Sequence, residues 1–129
     1  MPIAFIGVVE DDEALCSSLV DLMRSIGHRA EPFASAEALL GSKELANFDC
    51  IIADVHMPGM TGVELHGRLV KLGYAIPTIL VTAFPDEGVR NRALRDGVAC
   101  YLTKPVDDEE LERCLRSAVK LGKPSAENS

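Results

Sequence analysis

Two kinds of block alternate along this chain. Short apolar runs occupy residues 3–9, 49–53, 78–81 and 98–102, and residues 28–33 form a more polar run of similar length. Such lengths, bounded by turn residues, predict β-strands. Between them, apolar residues recur three and four apart. Leu15, Leu19, Leu22, Met23 and Ile26 predict a helix over 13–26, stopped by Gly27. Ser35 reads as the N-cap of a brief helix carrying Ala38, Leu39 and Leu40 and ended by Gly41. Val63, Leu65, Leu69 and Leu72 predict a helix over 61–72 closed by Gly73, and a polar helix over 87–95 ends before Gly97. Leu111, Leu115 and Val119 line one face of a last helix over 107–121.

Five strands alternating with five helices imply right-handed crossovers and a parallel sheet covered on both faces. The polar 28–33 strand belongs at an edge and the apolar strands in the middle. The flavodoxin-like, doubly wound α/β order 2-1-3-4-5 meets that condition.

With 129 residues, 47% of them hydrophobic, the chain suits one domain with a true core. Residues 1–121 are expected to form it, with 122–129 a polar tail or the start of a linker. The formal charge of -7 comes from 13 basic and 20 acidic residues. With no Lys/Arg cluster, nucleic-acid binding by this segment is disfavoured. The first apolar run ends at Val9 and is followed by acids, unlike a secretory signal. No run has the length of a membrane span, so a cytoplasmic location is expected. Cys16, Cys50, Cys100 and Cys114 lack metal-ligand spacing and read as small buried hydrophobes. His28 and His66 read as surface residues.

The chemistry lies at the carboxyl ends of the apolar strands. The first ends in Glu10-Asp11-Asp12, the third in Asp54 before Pro58-Gly59, the fourth in Thr82 and the fifth in Lys104. Singly, each has a plain explanation: acids cap helices, a threonine ends a strand, a lysine is solvated. In the 2-1-3-4-5 order these ends are neighbours, and convergence is harder to assign to capping. Two carboxylates ~4 Å apart repel by roughly 4 kcal/mol at an effective dielectric near 20. Unless one is protonated, such a cluster needs a counter-ion, and hard oxygen donors suit Mg2+. Lys104 adds a point charge and Thr82 a hydroxyl. The set suits phosphoryl transfer onto a carboxylate.

The ordered set Val8-Val9-Glu10-Asp11, Asp54-Val-His-Met-Pro-Gly59, Thr82-Ala83 and Lys104-Pro105 resembles the response regulator receiver domain of two-component systems, over residues 3–121. Ser35-Ala-Glu-Ala-Leu39 and Gly62-Val-Glu-Leu65 resemble its FixJ-like branch. The resemblance implies that Asp54 is the phosphoacceptor, charged by a histidine kinase, a phosphotransfer protein or a small phosphodonor. It implies Mg2+ held by Asp11 directly, Glu10 through water, Asp54 and the His56 backbone carbonyl. It gives Lys104 the phosphoryl group and makes Thr82 and Tyr101 a coupled switch that remodels the surface of the fourth helix, fifth strand and fifth helix. A phosphorylation-dependent homodimer or an output domain, one regulating transcription for instance, would read that surface. A cis Lys104–Pro105 bond fits the same pattern.

Asp11-Asp12 remains an alternative metal pair, although Asp12 is well placed to cap the first helix. The His56 side chain either lines the phosphoryl approach or is solvated. Two other functions compete. A haloacid-dehalogenase-like phosphatase also uses a strand-end aspartate, but wants an acid where His56 stands. A receiver serving only as an interaction surface would not need Asp54, Thr82 and Lys104 together. Neither a P-loop nor a GxGxxG pattern is present, which disfavours nucleotide binding.

Overall fold

The computed structural model describes residues 3–122. In chain order the elements are β1 (Phe5–Val9), α1 (Glu13–Ser25), β2 (Arg29–Phe33), α2 (Ala36–Leu40), β3 (Cys50–Asp54), α3 (Gly62–Lys71), β4 (Thr78–Thr82), α4 (Glu87–Arg95), β5 (Cys100–Thr103) and α5 (Asp108–Gly122). The strands form one parallel sheet in the order β2-β1-β3-β4-β5, as the hydrophobic pattern predicts. A short 3-10 turn at Leu45–Asn47, which the pattern does not foretell, leads into β3.

Burial explains the order. All residues of β1, β3 and β4 are buried, whereas β2 reads exposed, buried, intermediate, exposed, intermediate. Its Pro32 is tolerated because an edge strand can lack one ladder donor. Side chains alternate across the sheet, so each strand feeds two cores. Ile6, Val8, Ile52, Ile79, Val81 and Leu102 face α1 and α5, meeting Leu19, Met23, Leu111 and Leu115. Phe5, Val9, Ile51, Ala53 and Leu80 face the other way, meeting Leu39 of α2, Leu65 and Leu69 of α3 and Ala93 of α4.

Local chemistry sets the helix ends. Asp12 caps α1 by accepting from the Leu15 amide at 3.0 Å, Ser35 caps α2 through Ala38, and Asp86 caps α4 through Val89. Thr61 and Glu64 make a reciprocal capping box on α3. The helices before Gly27, Gly73 and Gly97 stop where those glycines take positive φ.

The two histidines expected at the surface are buried, each 7% exposed. His28 immediately precedes β2, and its Nδ1 accepts a hydrogen bond from the Ala4 amide, just before β1, at 3.0 Å. His66 sits on the inward face of α3, and burial lowers the pKa of both rings. Cys16 and Cys50 are buried as expected, whereas Cys100 and Cys114 are only partly so. The expected tail at 122–129 lies, from residue 123, outside the described residues. No helix among the described residues is long and apolar enough to cross a membrane.

Candidate functional site

Strand parity builds this site. Glu10 stands two residues beyond Val8, Asp54 two beyond Ile52, and Lys104 two beyond Leu102. All three continue the strand face that packs on α1 and α5. Thr82 stands two beyond Leu80, and Tyr101 pairs with Leu80 across the β4–β5 ladder. These two share the face toward α2, α3 and α4. One edge of the sheet therefore carries a charged half and a hydroxyl half.

In the charged half, Lys104 Nζ lies 2.8 Å from Glu10 Oε1 and 3.1 Å from Asp54 Oδ1. One ammonium thus ties together the ends of β1, β3 and β5. Glu10 and Asp54 are buried, and Asp11 is exposed beside them. Carboxylate oxygens of Glu10, Asp11 and Asp54 lie within 4.8 Å of one another. Burial pushes the Glu10 carboxyl above its ordinary pKa, and the Asp54 charge adds to this against the pull of Lys104 and the Asp12 amide. Burial works to lower the Lys104 pKa, but its bonds to Glu10 and Asp54 outweigh that and raise it. Negative charge is in excess here. Three hard oxygen donors, one open to solvent, are the donor set that a small divalent cation takes. Asp12 turns away from this group to cap α1.

In the hydroxyl half, Thr82 is fully buried and its Oγ1 accepts from the Phe84 amide at 3.0 Å. The Tyr101 hydroxyl accepts from the Asp86 amide at 3.3 Å, at the residue that caps α4. Both hydroxyls therefore hold the loop from β4 to α4. The Lys104–Pro105 peptide is cis.

The loop after Asp54 is closely fitted. Gly62 opens α3 directly against the Asp54 carbonyl, where a Cβ would collide with it. His56 is exposed, and its ring meets Phe84 edge-on with centroids 5.7 Å apart. Phe84, 72% exposed, was not among the residues singled out from sequence, because its exposure and its contact with His56 are set by the fold.

A parallel 2-1-3-4-5 sheet carrying buried acids and a bridging lysine at its carboxyl edge defines a phosphoryl-accepting signalling domain. The chain belongs to the response regulator receiver domain family, whose sequence profile matches residues 6–116. It is 36% identical to the response regulator protein TmoT of Ectopseudomonas mendocina, over 95% of this chain and 56% of TmoT. It is 32% identical to the transcriptional regulatory protein FixJ of Bradyrhizobium diazoefficiens, over 94% of this chain and 59% of FixJ. The crystal structure of full-length FixJ from B. japonicum superposes with a TM-score of 0.85 at 30% identity, covering 98% of this chain and 63% of that one. That of FixJ-N gives 0.84 at 28% identity, covering 94% and 97%. The chain is of the FixJ-like branch, and it spans about half the length of the curated relatives it matches. As a receiver it is a signalling domain, not a haloacid-dehalogenase-like phosphatase.

Proposed function

We propose that Asp54 accepts a phosphoryl group from a histidine kinase or phosphotransfer protein, and that Thr82 and Tyr101 convert this into a change at α4. The observation that carries this reading is the Lys104 bridge between Glu10 and Asp54, with Asp11 beside it. Asp11, Glu10, Asp54 and the His56 carbonyl are the groups that would hold Mg2+. When bound, Mg2+ supplies positive charge to the transferring phosphoryl oxygens.

The chain's own residues do the rest. An Asp54 carboxylate oxygen attacks phosphorus in line. Its new P–O bond forms as the P–N bond of a phosphohistidine breaks, and the departing imidazole keeps that electron pair and takes a proton. Lys104 reaches Asp54 Oδ1 already, so its ammonium is placed to neutralise an oxygen of the incoming group. Thr82 would leave the Phe84 amide to donate to another of those oxygens. Tyr101 would then fill the space behind Thr82 and release the Asp86 amide at the start of α4. A second copy or an output module would read the altered α4 surface. The greater length of the relatives, and the transcriptional role in the name of FixJ, support control of transcription through such a module. In this reading residues 1–121 are the receiver, and 122–129 are a polar tail or the start of a linker.

Acetyl phosphate labelling followed by mass tests the core of this. Label should require Mg2+ and vanish in Asp54→Asn; full labelling in EDTA, or label persisting on that variant, overturns the assignment. Asp11→Asn should weaken Mg2+ binding far more than Asp12→Asn, because Asp12 is already used as a cap. The reverse order in a metal titration would move the metal pair one residue along the chain.

A further inference from the structure

The loop between Asp54 and α3 is held from within at both ends. The Val55 amide donates to the Val81 carbonyl at 2.9 Å, and the Gly62 amide returns to the Val55 carbonyl at 3.1 Å. Met57 is buried in the core beneath α2 and α3. At the other end, Thr61 is fixed by its capping box with Glu64. The crest between these anchors is exposed at Pro58 and Gly59, and Pro58 has no amide to donate.

The crest is tied from outside by Glu37 of α2. Its Oε2 accepts from the Met60 amide at 3.2 Å, across 23 residues of sequence. The same oxygen lies 2.9 Å from where a Cβ on Gly59 would stand, and Gly59 has φ of +76°. The chain there adopts a conformation that favours glycine, and the missing side chain is what lets the carboxylate approach. Glu37 does not cap its own helix, since Ser35 does that. A first-turn glutamate at the surface has no need of a remote backbone partner to be solvated.

The geometry points to Glu37 as a positioning residue for the phosphorylation site. It clamps the Gly59–Met60 crest and thereby sets how deeply the His56 stretch of the loop sits beside Asp54. The inference rests on the function proposed above, and it concerns a residue outside the acidic cluster. A loop fixed before the cation arrives loses less freedom on binding, so the clamp is read out as Mg2+ affinity.

The test compares wild type with Glu37→Ala, Glu37→Gln and Ser42→Ala. Met60 amide exchange is followed by NMR in EDTA, Mg2+ affinity by calorimetry and label by acetyl phosphate. Glu37→Ala should speed Met60 exchange and weaken Mg2+ by about three- to tenfold, the scale of one ordinary net hydrogen bond. Glu37→Gln keeps an acceptor oxygen and should recover most of both. Ser42→Ala removes the acceptor of the Glu44 amide in the turn after α2, away from the clamp, and should leave Mg2+ affinity unchanged. Wild-type exchange and affinity in Glu37→Ala overturn the inference. So does a Glu37→Gln defect equal to that of alanine, which would mean long-range charge alone, or an equal loss in Ser42→Ala, which would mean general loosening. A wild-type domain that takes no Mg2+-dependent label on Asp54 defeats the functional reading instead. The Met60 amide then decides the clamp by itself.

Discussion

On the α1–α5 side of the sheet, the strands run past their core into Glu10, Asp54 and Lys104, linked by contacts of 2.8 and 3.1 Å. On the opposite side β4 ends in Thr82 and β5 carries Tyr101, each accepting one backbone amide from the loop that leads to α4. The helices beneath differ in the same sense. From α5, Leu111, Leu115 and Ala118 are buried, whereas α4 buries Ala93 alone. The charged half thus stands over a well-anchored helix and is cross-linked between strands. The hydroxyl half stands beside a lightly anchored helix and is joined to it by single hydrogen bonds. Elements with little buried apolar surface open most readily, so a signal generated on the first side has its least costly outlet on the second.

The sharpest way to break this contrast is Lys104→Met, which keeps the alkyl stem and removes the ammonium. Acetyl phosphate labelling of Asp54 should slow by about 100-fold, with the exchange of α4 amides in the unlabelled domain unchanged. A rate within threefold of wild type would place the needed charge elsewhere. Thr82→Ala is the counterpart on the other half. It should leave labelling largely intact but remove the response of Glu87–Arg95 amide exchange to beryllofluoride, a mimic of the acyl phosphate. Loss of the Phe84 amide's acceptor should also cost about 1 kcal/mol in denaturant unfolding. An undiminished α4 response would disconnect the two halves.

The smallest effect is a control lying outside both halves. His28 and His66 have folded pKa values below the ordinary 6.5, mainly because burial disfavours their charged forms. Glu112 and Asp49 pull His28 back up, and Asp96 does so for His66. A lowered pKa means that the unfolded chain binds the proton first. The stability contributed by the neutral rings is therefore present above pH 6.5 and is lost as the pH falls below it toward the folded pKa values. Urea midpoints between pH 7.5 and 5.5 should show this slope, and His28→Gln should flatten it. A slope unchanged in that variant would remove His28 as its source.

What the sequence made legible follows the range of the forces involved. Strand–helix alternation, the caps at Asp12 and Ser35 and the glycine stops are local, and each appears where the pattern placed it. The four strand ends converge because strand order follows from which runs are most apolar. Features set by contacts distant in sequence were not legible. His28 follows Gly27 in a polar stretch, and only the fold brings the Ala4 amide to its ring. Glu37 looks like any first-turn acid until α2 is laid beside the loop after Asp54. The β5 strand begins at Cys100, not at Val98, because the Val98 amide is spent on the Ala93 carbonyl in closing α4.

The order in which the strands lie also bears on how the domain comes into being. Glu10 and Lys104 meet across 94 residues of chain, and the Phe5 amide meets Asp49 across 44. Closing loops of this size costs entropy before any contact is gained, so pairing of distant strands is slow. The acidic cluster cannot exist until β1 and β3 have paired, and its lysine arrives only with β5. A cation that recognises the assembled cluster has nothing to bind in the early folding nucleus. Its stabilisation should therefore appear as slower unfolding, with the rate of folding almost untouched.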